Sequence, residues 1–244
     1  MQFAGQTDIG LVRKTNQDAY NAGALSENAV WAVVCDGMGG ANGGNIASET
    51  AIDAITKDVL EGYREGMDSQ EIKELLASAL EDANERVYEK AKQDPALEGM
   101  GTTAVLTLIQ NHVIHLVNVG DSRAYYVTET EIIRVTKDHS LVETMVDHGD
   151  ITADEARHHP SRNLITRALG RDTNAACDSF IRPMESGSYI LLCTDGLVNT
   201  VTDQEMLFEI IHGDNQETCL KRLLEIAKNQ GAPDNVTAVL MQKL

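Results

Sequence analysis

The sequence predicts an α+β fold of stacked layers, in which helices cover sheets whose strands are buried on both faces. Three observations carry this expectation: amphipathic stripes at helical period, short apolar β-branched runs, and a pair of helical stripes inserted between the first and second of those runs. The 244 residues show no internal repeat, low-complexity tract or Pro/Gly/Ser-rich linker, and the four prolines are scattered. Residues 1–244 are therefore expected to form a single domain.

In chain order, the first apolar run is Val30 to Cys35. Ile46 to Leu60 then places Ala47, Ala51, Ala54, Ile55 and Val59 on one helical face. A second stripe of Ile72, Leu75, Leu76, Ala79, Leu80, Ala83 and Val87 opens with Asp68 and Glu71 at capping-box spacing. Four more strands are expected at Ala104 to Ile109, Val113 to Val119, Tyr189 to Cys193 and Val236 to Leu240. Between Asp138 and Arg162 the chain is rich in His, Asp and Gly, with little apolar periodicity after Val146. That segment is expected to be a partly helical surface flap, at about residues 147–162. A third helical stripe, Leu220, Leu223, Leu224 and Ala227, follows Asp214 and Glu217 at capping spacing and ends at Gly231 and Pro233.

Acidic residues outnumber basic ones, 38 against 20, for a formal net charge of −18. Nucleic acids and anionic membranes are recognised by clustered Lys and Arg, so such partners are disfavoured and cation binding is favoured. The four cysteines, Cys35, Cys177, Cys193 and Cys219, form no C-x-x-C pair, and two of them sit inside apolar runs. They are expected to be reduced core residues. The first residues lack a basic then apolar leader pattern, and no apolar run approaches membrane-spanning length, which predicts a cytoplasmic protein without membrane insertion.

Four aspartates fall at the ends of predicted strands. Asp36 closes the run ending at Cys35, Asp121 follows Val119 and Gly120, Asp195 follows Cys193 and Thr194, and Asp234 precedes Val236. A strand end is held rigidly by its sheet yet reaches the surface, so such carboxylates can meet in one cleft. Clustered carboxylates repel unless a cation neutralises them, and all-oxygen ligands select hard ions, with Mg²⁺ or Mn²⁺ the natural candidates. Asp36-Gly37 and Asp195-Gly196 also fit tight β-turns, which remains an alternative for each. Gly37, Gly39, Gly40, Gly43 and Gly44 form a Gly-rich lead-in to a helix, but the G-K-[ST] ending of a P-loop is missing, and no EF-hand loop is present.

The chain resembles the metal-dependent protein phosphatase family, type 2C, and more closely its compact bacterial serine/threonine members. The resemblance rests on ordered motifs over essentially the whole chain: T-D-I-G-L-V-R-K-T-N-Q-D from Thr7, V-V-C-D-G-M-G-G from Val33, M-G-T-T-A-V from Met100 and N-V-G-D-S-R-A-Y from Asn118. T-K-D-H-S from Thr136, N-L-I-T-R-A-L-G from Asn163, L-L-C-T-D-G-L from Leu191 and P-D-N-V-T from Pro233 complete it. It implies a four-layer α-β-β-α sandwich, two central sheets flanked by helices, with a binuclear metal centre at one end. By motif, Asp36 would bridge two Mn²⁺ or Mg²⁺ ions, the Gly37 carbonyl would bind one, Asp195 and Asp234 the other, and Asp18 would act through water. A third ion would lie at Asp121 and Asp195. Arg13 matches the family's phosphate-binding position.

Two cations about 4 Å apart would lower the pKa of a water poised to attack phosphorus. The implied activity is hydrolysis of phosphoserine and phosphothreonine on proteins, in opposition to a bacterial serine/threonine kinase, by a monomer. Alternatives are a partner-switching phosphatase acting on a transcription regulator, a phosphoprotein-binding domain without catalysis, and a structural cation-binding protein. Where many eukaryotic relatives place a histidine that donates the leaving-group proton, this chain has Met38, leaving His139 or water as the donor. Gln17 stands where glutamate is commoner, so any water-mediated metal contact there becomes a neutral amide contact.

Overall fold

A computed structural model describes residues 1–243, with side chains at all of them except residues 40–42. Strands β1 (Gln2–Asp8), β2 (Asp18–Ser26) and β3 (Ala29–Met38) precede the long helices α1 (Gly40–Gly62) and α2 (Ser69–Gln93). Strands β4 (Gly101–Thr102), β5 (Ala104–Gln110), β6 (Val113–Val119), β7 (Arg123–Val127) and β8 (Ile132–Arg134) follow. Short helices α3 (Leu141–His148) and α4 (Ala153–His158) lead to β9 (Asp178–Pro183) and β10 (Tyr189–Cys193). Helices α5 (Asp195–Val198), α6 (Asp203–His212) and α7 (Gln216–Asn229) come before the final strand β11 (Val236–Gln242).

The strands form two antiparallel sheets. One runs β1-β11-β10-β7-β8, and the other runs β2-β3-β5-β6-β9 with β4 paired to β3. Side chains alternate across a strand, and here both faces are apolar because both are covered. In β3, Trp31, Val33 and Cys35 join a core with α1 and α2, while Val30, Ala32 and Val34 face the other sheet. In β11, Val236, Ala238 and Leu240 pack under α5, α6 and α7, while Val239 and Met241 face inward between the sheets. Three apolar cores separating four layers give the α-β-β-α sandwich that the motifs imply.

The helical stripes fall where expected. Ala47, Ala51, Ala54, Ile55 and Val59 are buried on α1, and Leu220, Leu223, Leu224 and Ala227 on α7. The capping box at Asp68 and Glu71 is present, with the Asp68 side chain accepting from the Gln70 and Glu71 N–H groups. Two boundaries differ. Helix α1 begins at Gly40, ahead of its apolar stripe, so the Gly-rich segment supplies its first turns as well as its lead-in. Helix α7 is capped by Asn215, which accepts from the Thr218 N–H, one residue later than the Asp214 and Glu217 pair suggests. Asn and Asp cap equally well, so a one-residue slip leaves the inward stripe unchanged. Among the described residues, no helix is long and apolar enough to cross a membrane.

Candidate active site

The antiparallel register of β2 and β3 sets Asp18 directly opposite Asp36. Asp121 follows β6 after Gly120, Asp195 opens α5 beyond the end of β10, and Asp234 lies just before β11. These ends coincide at one edge of the sandwich. Asp36, Asp121, Asp195 and Asp234 line one cleft of about 620 Å³, together with Arg13, Lys14, Gly37 and Met38. Asp18 does not line it; it is buried behind, and its Oδ2 accepts the Thr194 hydroxyl at 2.9 Å. A second cavity, of about 440 Å³ between the first residues and the start of α7, has Glu217 as its one charged side chain.

Neither Asp-Gly pair is a hairpin turn. Asp36, Gly37 and Met38 continue β3, with Gly37 and Met38 paired to Thr102 and Gly101 of β4. Asp195 and Gly196 form the first turn of α5. Glycine is required for close backbone approach. A Cβ on Gly37 would stand 2.0 Å from the Gly44 carbonyl oxygen, and one on Gly196 would stand 1.9 Å from that of Asn235.

A hydroxyl network holds the carboxylates in place. The Asp36 N–H donates to Thr103 Oγ1 at 2.9 Å, the Thr102 hydroxyl donates to the Asp36 carbonyl at 2.9 Å, and Thr103 Oγ1 lies 2.7 Å from Ser122 Oγ beside Asp121. The electrostatics are unfavourable in the absence of a counter-charge. Withdrawal from water, with Asp18, Asp195, Asp121 and Asp234 nearby, pushes the Asp36 carboxyl well above the usual range. Burial does the same to Asp121, and pushes Asp195 up to about 6 and Asp18 to about 7, the last against the opposing hydroxyls of Thr237 and Thr194.

One oxygen on each of Asp18, Asp121 and Asp195 is buried without a hydrogen-bond partner. Such orphans are rare in native proteins and mark places where something else binds. Together with the all-oxygen donor set, they fit hard divalent cations. Among the described residues, no group of three His, Cys, Asp or Glu side chains is closed up enough to hold an ion alone. A centre here therefore also needs backbone carbonyl and water oxygens, as the role expected of Gly37 supposes.

Arg13 Nη2 donates to Asp234 Oδ2 at 2.6 Å, and this carboxylate raises the guanidinium's pKa further. The loop bearing Arg13 is clamped from below by Asn235, a residue that its motif contains but whose role the sequence does not reveal. Asn235 Oδ1 accepts the Gln17 N–H at 2.8 Å, and its Nδ2 donates to the Ile9 and Thr15 carbonyls at 2.9 and 3.1 Å. Asn235→Ala is expected to raise KM for a phosphopeptide about three- to tenfold by loosening this loop, since three hydrogen bonds are lost at a buried site. Steady-state kinetics beside an Arg13→Ala background checks it: the two effects should not add.

His139 lies outside the cleft lining and is buried, with both ring nitrogens engaged. Its Nδ1 accepts the Gly120 N–H at 3.0 Å, while its Nε2 faces Asp178 Oδ2 at 3.3 Å and Arg167. That geometry orients the backbone leading into Asp121 and gives His139 a structural place. The cysteine thiols are equally unsuited to chemistry. All four are free; Cys35 and Cys193 are fully buried, and burial pushes the Cys193 thiol up to about 12.

Residues 12–240 match the protein family described as Protein phosphatase 2C. The chain is 36% identical over 241 residues to the serine/threonine protein phosphatase PstP of Mycobacterium tuberculosis, covering 98% of this chain and 44% of that protein. It thus spans less than half of that relative's length. Among solved structures, the serine/threonine phosphatase of S. agalactiae superposes with a TM-score of 0.93 at 30% identity, covering 100% of this chain and 99% of the other. The catalytic domain of PstP, solved in complex with two manganese ions, superposes with a TM-score of 0.85 at 34% identity, covering 98% of this chain and 96% of that one. With a family match over residues 12–240 and the same fold throughout, the chain belongs to the protein phosphatase 2C family.

Proposed function

We propose that this protein is a metal-dependent serine/threonine phosphatase, hydrolysing phosphoserine and phosphothreonine on proteins. The observation that carries the reading is the cleft itself: four aspartates from four separate strand ends, with orphaned buried carboxylate oxygens at Asp121 and Asp195. Asp36, the Gly37 carbonyl, Asp195 and Asp234 would hold two Mn²⁺ or Mg²⁺ ions, in keeping with the manganese-bound PstP domain, and Asp121 with Asp195 a third. Cations there would supply an activated water and neutralise the charge that develops on phosphate.

The protein's own groups do the rest. Arg13 lines the cleft, and the guanidinium donors not used on Asp234 bind phosphate oxygens in a forked, charge-assisted arrangement. Met38 lines the cleft but carries no transferable proton, so water protonates the leaving alkoxide. The Asp18 carboxylate, fixed by Thr194, stands behind Asp36 to orient water. Arg13→Ala is expected to raise KM more than it lowers kcat, about tenfold against about twofold, because its contact is made to ground state and transition state alike. Kinetics on a phosphothreonine peptide reads this directly, and an unchanged KM contradicts it.

Each buried orphan oxygen costs about 1–3 kcal/mol unless it is partnered, which favours a cleft that holds cations. No feature of the cleft favours a partner-switching role. The physiological setting that fits is the cytoplasm, where the four free thiols stay reduced, with a monomer acting on kinase-phosphorylated proteins, the kinase among them. The test is phosphate release from a phosphothreonine peptide by chelator-stripped protein. Release that returns with Mn²⁺ supports the reading. A Mn²⁺-dependent rise in melting temperature with no release would make the chain a structural cation-binding protein instead.

A further inference from the structure

Exposed apolar side chains are unevenly placed on this molecule. Among the described residues nine large hydrophobics are exposed, and three of them, Ile9, Leu11 and Val12, fall within four consecutive positions that run into Arg13. Leu11 is 62% exposed and Val12 67%. A single exposed leucine is ordinary, whereas a cluster of apolar side chains beside a cleft marks an interaction surface. Leu11 and Val12 are not part of the cleft lining, but Arg13, Lys14 and Thr15 are, so the pair stands on its rim.

The loop that carries them is fixed. The Gly10 N–H donates to Asp8 Oδ1 at 2.9 Å, and Asp8 Oδ2 in turn accepts from Lys228 Nζ of α7 at 2.8 Å. The Leu11 N–H donates to the Ala232 carbonyl at 2.9 Å, while Asn235 holds the Ile9 and Thr15 carbonyls from below. Gly10 has a φ of +76°, and a Cβ there would stand 2.2 Å from the Asp234 carbonyl oxygen, so the loop is pressed against the segment that carries a cleft aspartate. The backbone is held on both sides of Leu11 and Val12 while their side chains are left to solvent. Apolar surface presented on a fixed backbone binds without paying to order a loop.

We propose that Leu11 and Val12 form an apolar docking platform for the substrate peptide, taking a large aliphatic side chain that flanks the hydrolysed phosphoresidue. The inference rests on the phosphatase reading and names a preference within its substrate class. The platform is continuous with the residue that grips phosphate: Cα atoms across a trans peptide are about 3.8 Å apart, so Val12 and Leu11 lie within about 4–8 Å of Arg13 along the chain. An extended peptide advances about 3.3 Å per residue, which puts the docked side chain about one to three residues from the phosphoresidue. A second copy of this chain is a poorer occupant, because two side chains fall well short of the roughly 800 Å² per partner that a stable protein interface buries.

The test uses the full Mn²⁺-loaded chain and a set of phosphothreonine peptides, each with a single leucine at one of the three positions before or after the phosphate and asparagine at the others, beside an all-asparagine reference. In wild type at least one leucine position should raise kcat/KM about three- to tenfold over the reference, mainly through KM, as partial burial of an aliphatic side chain requires. The ratio should persist in about 0.5 M sodium chloride, which screens contacts between charges and leaves apolar ones. Leu11→Asn/Val12→Asn should abolish the ratio, whereas Leu11→Met/Val12→Ile, which keeps the apolar surface, should retain it. Equal rates in wild type, a ratio that survives the asparagine variant, or one that the conservative variant also loses overturns the proposal. So does a wild-type dimer that the asparagine variant dissolves without any peptide preference, which would make a second copy the occupant. Equal rates leave the phosphatase reading standing, while absence of phosphate release from every peptide overturns that reading as well.

Discussion

Asp36→Asn is expected to reduce phosphothreonine-peptide turnover by at least about 10³-fold while leaving the metal-free protein no less stable to heat than wild type. The two halves of this expectation come from different parts of the structure. Asp36 is held in β3 through its backbone, by Thr103 and Thr102, and none of those bonds uses its carboxylate. The side chain instead sits among Asp18, Asp195, Asp121 and Asp234, with a hydrogen bond shared with Asp195. An isosteric neutral amide keeps the volume, removes repulsion and supplies N–H donors to neighbouring carboxylates. A folding lesion would lower stability and activity together, so the split between chelator-treated melting curves and Mn²⁺-supported kinetics identifies the cause.

Gly196→Ala is the second large effect, and it works through the backbone. Its Cβ would meet the Asn235 carbonyl oxygen at 1.9 Å, forcing α5 away from the segment that carries Asp234. Overpacking of this kind costs about 1–3 kcal/mol, a fall of about 3–10 °C in melting temperature for a domain of this size. The catalytic effect is larger still. Asp195 and Asp234 come from the two segments pressed together at this point, and a displacement of about 1 Å between groups that must act jointly lowers turnover about 10²-fold. Scanning calorimetry and kinetics on the same preparation check both, and a Gly37→Ala variant, whose Cβ would meet the Gly44 carbonyl at 2.0 Å, should behave alike.

What the sequence makes legible follows burial. The five strands it predicts, β3, β5, β6, β10 and β11, all lie inside their sheets, where cores on both faces demand continuous apolar runs. The edge strands β1, β2, β8 and β9 escape because one side is open and polar residues such as Gln2, Gln6, Asn21 and Arg182 interrupt any run. Strand β7 is interior but begins at Arg123, which leaves only Ala124 to Val127 as an apolar run. The aspartates are legible because each closes or opens an apolar run.

The residues that hold the site together are not legible in that way. Thr194 reaches Asp18 across 176 positions of sequence, and Asn235 reaches Gln17 across 218. Both stand inside quoted motifs, yet no local pattern says which partner each one serves. The Asp-Gly glycines mislead for a related reason. A turn and a close backbone contact both call for glycine, and only the distance to Gly44 or Asn235 distinguishes them.

The central claim, that the aspartate cleft holds the metals that drive phosphatase chemistry, is tested most directly by counting bound manganese. Chelator-stripped wild type and Asp36→Asn are titrated with Mn²⁺ by electron paramagnetic resonance while phosphate release is followed on the same samples. The account predicts at least two tightly bound ions in wild type, with phosphate release appearing as they fill, and loss of both tight binding and release in the variant. Wild-type stoichiometry and near-normal turnover in Asp36→Asn would contradict it.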